Sequence, residues 1–185
     1  KNRGWKQVYV HCFMDGRDVP PDSGKGYIEQ LEAKMKQIGT GQIATVMGRY
    51  YAMDRDNRFE RVEKAYNSMV RGVGETADSG AQAMQQSYDR GEMDEFVLPT
   101  VVQSDDKPIA KIESGDACIF FNFRPDRARE ITRTITESDF DAFEREPLNV
   151  HFVCMTQYDA TFDNVHVAYT PQTLDNTLGQ DLADN

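Results

Sequence analysis

Three short stretches of this chain place arginine directly after an apolar run. Asp15-Gly16-Arg17-Asp18-Val19-Pro20-Pro21 follows Val8-Tyr9-Val10-His11-Cys12-Phe13. Gly48-Arg49-Tyr50-Tyr51-Ala52-Met53-Asp54-Arg55-Asp56 follows Ile43 to Met47, and Arg124-Pro125-Asp126-Arg127 follows the run from Ala117 to Phe123. An apolar run ending in a Gly- or Pro-marked loop reads as a strand exit, and strand exits are where α/β sheets bind ligands. Guanidinium is a planar fork suited to bidentate capture of carboxylate or phosphate. Arg17, Arg49, Arg55, Arg124 and Arg127 are therefore the candidate anion-binding groups. Asp18, beside Arg17, is the candidate group to accept and donate a proton while the arginines hold an anion. Tyr50 and Tyr51 can line a pocket and offer hydroxyls, and Asp54 and Asp56 can orient the guanidinium forks.

Other side chains carry weaker signals. Arg58 and Arg61 read as an exposed helix face paired with Glu60 or Glu63. Arg129 and Arg133 read as solvated. Arg127, read in the first turn of a helix opened by Pro125, opposes the helix dipole, and an anion at that end would remove the conflict. His11, His151 and His166 lie in strand-like runs without a metal-ligand spacing, and His11 reads as a core residue. Cys12, Cys118 and Cys154 sit in apolar runs without CxxC spacing, as reduced buried thiols of a cytoplasmic protein do. There is no GxSxG, Walker loop or GxGxxG.

The elements that position these residues follow from periodicity. Val8–Met14 and Gln42–Met47 read as strands. Tyr27, Ile28, Leu31, Met35 and Ile38 recur at helical spacing, with Asp22 or Ser23 as the cap and Gly39 as the stop. A second helix from Asp56-Asn57 carries Phe59, Val62, Ala65, Tyr66, Met69 and Val70. A third, capped by Asp78 or Ser79, runs to Tyr88. Phe96–Val102, interrupted by Pro99, reads as an edge strand with a hairpin return over Ile109–Ile112. Ala117–Phe123 reads as a central strand buried on both faces. Val150–Met155 and Val165–Tyr169 complete the strands. This order predicts an α/β fold: a mainly parallel central sheet with helices on both faces, plus a small edge hairpin.

With 185 residues the chain fits one domain, and its net charge of −10 disfavours nucleic acid as a partner. No apolar run reaches the length of a membrane span. The opening Lys1-Asn2-Arg3-Gly4-Trp5, without an initiator methionine, is expected of a segment that begins inside a larger protein.

The motifs together resemble cofactor-independent phosphoglycerate mutase. His11 to Pro21 is similar to that family's HxFxDGRDxPP segment, and Gly48 to Tyr66 to its GRYYAMDRDxRxxRVxKAY block. Asp94 to Thr100 resembles DEFVxPT, Ile119 to Arg129 contains FFNFRxDRxR, and Met155 to Asp159 and Asn176 to Gly179 resemble MTxYD and NTLG. The resemblance implies that residues 1–185 are the inserted phosphotransferase domain of a two-domain enzyme interconverting 3-phosphoglycerate and 2-phosphoglycerate. It implies a phosphatase-like partner domain, outside this chain, with two Mn2+ ions and a serine nucleophile. It assigns substrate contacts to Arg17, Asp18, Arg49, Arg55, Arg124 and Arg127, with Asp18 as catalytic proton carrier and no metal ligand here. The isolated chain is then expected to bind substrate without turning it over. A stand-alone anion-binding or interaction module is the alternative.

Overall fold

The computed structural model describes residue 4 and residues 7–172. The Asn176–Gly179 motif lies outside the described residues. β1 (Tyr9–Met14) and β2 (Gln42–Gly48) pair in parallel and are joined by α1 (Gly24–Ile38). Gly39 ends α1 as expected, at φ 67°, with its N–H on the carbonyls of Met35 and Lys36. The start differs. Neither Asp22 nor Ser23 caps α1 through its side chain; the Gly24 N–H donates to Asp94 Oδ2 at 2.7 Å.

β2 leads into a one-turn helix, α2 (Arg49–Ala52), where a loop was expected. α3 (Phe59–Tyr66) continues as a π-helical turn over Asn67–Arg71. After β3 (Glu75–Ala77), Ser79 caps α4 (Gly80–Asp89) by accepting the Gln82 N–H at 3.1 Å. A 3-10 turn, Asp94–Phe96, precedes β4 (Thr100–Ser104), which forms a hairpin with β5 (Lys107–Pro108). Asp105 and Asp106 both have positive φ, the backbone a tight hairpin turn demands. The return strand is Lys107–Pro108, earlier than Ile109–Ile112, and the Ile109 N–H carries on its pairing, to the Val102 carbonyl at 3.0 Å.

The first sheet has the order β1-β2-β4-β3, with β5 on β4. β3 is parallel to β4, but β4 runs antiparallel to β2. The register between β1 and β2 skips Ala44, so β2 bulges there. The extra residue turns Ile43 and Val46 toward one core, against α1 and α4, and Met47 toward the other. That second core gathers Val62 and Tyr66 of α3 with Phe152, Cys154 and helix α5 (Arg129–Thr136).

β6 (Ala117–Phe120), β7 (His151–Thr156) and β8 (Val165–Tyr169) form a separate parallel sheet. This corrects the reading of Ala117–Phe123 as a central strand buried on both faces. Among the described residues β6 is an edge strand. Cys118 and Phe120 pack on the core, while Ile119, Phe121 and Phe123 are 73%, 78% and 71% exposed. The open edges of β1 and β6 meet only through side chains, such as the Phe13 and Phe120 rings 5.7 Å apart. No described helix is long and apolar enough to cross a membrane.

Candidate functional site

The site is built at the carboxyl ends of β1, β2 and β6. Beyond β1, Asp15 folds its carboxylate back over its own loop, where Oδ1 accepts the N–H groups of Arg17 (3.3 Å) and Asp18 (3.4 Å) and Nη1 of Arg49. Burial alone would raise the Asp15 pKa. The hydrogen bonds from Arg49, Asp18 and Arg17 outweigh it and hold the carboxyl below its usual range. Gly16 makes this turn possible. Its φ is +69°, and a Cβ there would sit 2.8 Å from the Glu95 nitrogen.

Arg49 is 4% exposed, an unusual place for a cation. Its Nη1 bridges Asp15 and Asp18, reaching Asp18 Oδ2 at 3.4 Å, while its Nε is buried without a hydrogen-bond partner. Asp18 Oδ2 also accepts Nη1 of Arg124 at 3.3 Å. Asp126 binds Arg55 (2.9 Å) and Arg124 (3.6 Å), which draws the second and third loops together. Arg127 donates to the Met53 carbonyl at 2.9 Å, and its Nε is likewise buried and unpartnered. Burial lowers the Arg127 pKa first, and the positive charges of Arg49, Arg55 and Arg124 lower it further. The four guanidinium groups thus share one field.

Arg17, Asp18, Arg49, Arg55, Arg124 and Arg127 therefore converge from three loops. Arg17 is the outlier: it turns to Glu95 Oε1 at 3.3 Å and stays largely exposed. Arg127 lies in the turn before α5, not in its first helical turn, so the expected conflict with the helix dipole does not arise. The electrostatic cost at Arg127 comes instead from the positive charges of Arg49, Arg55 and Arg124.

Several of the partners these arginines meet have no local signal in the sequence. Asp126 and Glu95 were visible only as motif letters. Arg61 stacks on the Tyr50 ring at 3.9 Å and pairs with Asp54 at 3.6 Å, instead of with Glu60 or Glu63. Arg129 and Arg133 pair with Asp159 at 3.4 and 2.7 Å rather than standing in solvent. Two cavities, about 460 and 430 Å³, lie away from these loops, one beside the amino-terminal ends of β1 and β2 and the other beside those of β7 and β8. Among the described residues no three His, Cys, Asp or Glu side chains converge as a metal site. Asp15, Asp18 and Asp126 are each occupied by arginine, so the donor set does not fit a metal ion.

His11 is half-buried on β1 rather than a full core residue, with Nδ1 2.8 Å from Thr45 Oγ1. Burial pulls its pKa down from 6.5 to about 4, against the charge of Asp116. A depressed histidine stabilises the fold above its unfolded pKa and loses that contribution as pH falls. Urea unfolding should therefore show wild type losing about 2–3 kcal/mol more than His11→Asn between pH 6.5 and pH 4. Parallel loss in both proteins would contradict a buried neutral ring. Cys12, Cys118 and Cys154 are free thiols pushed by burial to about 12, 11 and 11.

Comparison with known proteins bears on the family and the fold. A family model described as BPG-independent PGAM N-terminus matches residues 1–160. The 2,3-bisphosphoglycerate-independent phosphoglycerate mutase of Clostridium perfringens is 61% identical over 183 residues, covering 99% of this chain and 36% of the relative. That of Clostridioides difficile is 57% identical over 185 residues, covering 100% and 36%. A crystal structure of Leishmania mexicana phosphoglycerate mutase at low cobalt concentration superposes with a TM-score of 0.86 at 32% identity, covering 99% of this chain and 35% of that one. The chain spans about a third of the length of these relatives. With most of its length matched, its loops arranged at one edge and its fold shared with a solved mutase, the chain belongs to the BPG-independent phosphoglycerate mutase N-terminal family.

Proposed function

We propose that this chain is the substrate-holding, phosphotransferase domain of a two-domain phosphoglycerate mutase that interconverts 3-phosphoglycerate and 2-phosphoglycerate. One observation carries the reading. Arg49, Arg55, Arg124 and Arg127 crowd together, and Asp15, Asp18 and Asp126 supply only three negative charges against those four. That surplus of positive charge attracts a small anion with carboxylate and phosphate groups, which can also reach the orphaned Nε donors of Arg49 and Arg127. In this reading the arginines bind the carboxylate and phosphate of the phosphoglycerate, and they keep hold of the carboxylate while the dephosphorylated glycerate turns over. Asp18, oriented by Arg49 and Arg124, takes the proton from one hydroxyl and returns it to the other. Arg17 swings from Glu95 to the substrate.

The phosphoryl group is carried meanwhile by a serine of the phosphatase-like domain, the chain's partner in the full-length, cytoplasmic protein. The metal-ion chemistry also belongs there, with manganese as the ion of this reading. The Leishmania mexicana relative is titled with cobalt. No step on this chain runs through a metal. The isolated chain binds 3-phosphoglycerate and does not convert it.

Titration of 3-phosphoglycerate into the chain, by calorimetry or NMR shift mapping, should give saturable binding. Arg124→Ala should weaken it about tenfold or more, the worth of one charge-assisted hydrogen bond. Conversion to 2-phosphoglycerate by the isolated chain would refute the two-domain reading. Binding indifferent to Arg124 would remove the assigned site.

A further inference from the structure

The loop between α2 and α3 carries Arg55, and it is fastened at one buried point that the anion site itself does not use. Asp54 and Glu130 are each 5% exposed. Asp54 Oδ2 accepts the N–H groups of Asp56 and Arg58, both at 2.9 Å, and its Oδ1 lies 3.6 Å from Arg61 of α3. Glu130, in the first turn of α5, accepts the Asn57 N–H on Oε1 at 3.0 Å. Asn57 stands at φ 56°, the strained corner of the loop, so Glu130 holds the loop where its backbone is least willing to stay. The other oxygen, Glu130 Oε2, is buried and receives no donor from backbone, amide or guanidinium.

The Asp54 carboxyl is gathered on the same stretch of backbone: Asp54 holds the N–H groups of Asp56 and Arg58, and Glu130 holds the N–H of Asn57 between them. Two buried carboxylates on one short stretch of backbone repel each other unless one of them holds a proton. Asp54 already collects two N–H bonds and the field of Arg61, all of which favour its ionised form. The proton therefore sits on Glu130.

We propose that Glu130 is a positioning residue: as a protonated carboxyl beside Asp54, it pins the Arg55 loop to the helix that follows Arg124 and Arg127, and so sets the spacing of the guanidinium groups. Removing the proton leaves two buried anions side by side, with Asp56 adding a third charge from the same loop and Arg61 of α3 opposing them. The loop then lifts and Arg55 leaves the cluster. Burial first, and then Asp54 and Asp56 against the Asn57 N–H, push Glu130 up to about 7. The clamp is thus closed in mild acid and opens as pH rises through neutrality. A raised carboxyl also contributes stability that is complete below its unfolded pKa and lost as pH rises through about 7.

The inference rests on the phosphoglycerate-holding reading, and its test separates the two. Carbon-13 NMR of the glutamate carboxyls in this chain should show one group titrating near 7, absent from Glu130→Gln. The Asn57 amide should follow with the same midpoint. Asp54→Asn, whose amide can donate to Oε2, should move that midpoint down. In 3-phosphoglycerate titrations at about pH 6 and about pH 8, wild type should lose affinity relative to Glu130→Gln by about fivefold or more at the higher pH. The ligand's own second ionisation is common to both proteins and cancels. A Glu130 carboxyl titrating in the ordinary glutamate range, or equal pH dependence in wild type and Glu130→Gln, overturns the proposal. A midpoint near 7 shared by Glu130 and Asn57, with no phosphoglycerate binding at any pH, upholds the clamp and removes the substrate reading instead.

Discussion

Arg49→Ala is expected to lose phosphoglycerate binding and stability together, and Arg49→Lys to separate the two. Arg49 is the one fully buried guanidinium of the cluster, and its Nη1 is the tie between Asp15 and Asp18. Truncation leaves Asp15 with only the two N–H bonds of its own loop and removes the positive charge that holds its carboxyl ionised. Breaking a buried ion pair from one side costs more than the pair itself contributes, because the remaining charge stays where water cannot reach it. Asp15 is partly exposed, which softens that penalty, so the expected loss is about 2–4 kcal/mol, read as a lower urea midpoint at unchanged slope. A lysine places one ammonium near the Nη1 position and recovers much of that stability. It cannot replace the buried Nε donor, nor the fork that faces the anion. Phosphoglycerate affinity should therefore fall about a hundredfold or more in both variants, while only alanine unfolds early. Arg49→Lys binding like wild type would mean that the site needs charge at this position and not geometry.

What the sequence disclosed about this site, and what it hid, divides along chain separation. α1 was legible because Ile28, Leu31 and Met35 recur on one face and Gly39 stops it with a left-handed turn. β8 was legible because a short apolar run lies between polar loops. β3 was not, since only Ala77 of its three residues is buried. The antiparallel entry of β4 between β2 and β3 has no local signature, because strand direction is decided by what the chain does between strands. Nor does a continuous apolar run such as Ala117–Phe123 say how many of its faces the rest of the chain will cover. The arginines were legible by type and place. Their partners were not: Arg17 meets Glu95, Arg55 meets Asp126, and Asn57 meets Glu130, each across more than seventy positions. Glu130 in particular reads as an ordinary acidic residue in the first turn of a helix. Only burial, the missing donor at Oε2 and the adjacency of Asp54 give it a role.

Gly48→Ala is expected to be the most damaging single methyl group that can be added to this chain. Gly48 has φ −76° and ψ 155°, which any residue adopts, so the reason for glycine here is space and not backbone freedom. A Cβ would lie 2.5 Å from the carbonyl carbon of Glu95, closer still to its oxygen, and 2.8 Å from the oxygen of Asp94. These are backbone atoms and cannot rotate away. The Gly48 N–H donates to the Val97 carbonyl at 2.8 Å, so the two segments are also tied at the point where they would have to part. Moving the Asp94–Phe96 turn outward disturbs both arms of the site at once. Asp94, 1% exposed, accepts the Gly24 N–H at the start of α1 and the Tyr88 hydroxyl, and Glu95 is the resting partner of Arg17. Overpacking of this kind costs about 1–3 kcal/mol where side chains can yield, and the upper end or beyond is expected where they cannot. Gly26→Ala is the control: it lies in α1 with nothing within 4 Å of the added Cβ, and should stabilise the chain by up to about 1 kcal/mol. Chemical denaturation of the two variants decides the matter. Near-equal midpoints would mean that the Asp94–Phe96 turn yields freely and that space is not the reason for glycine at position 48.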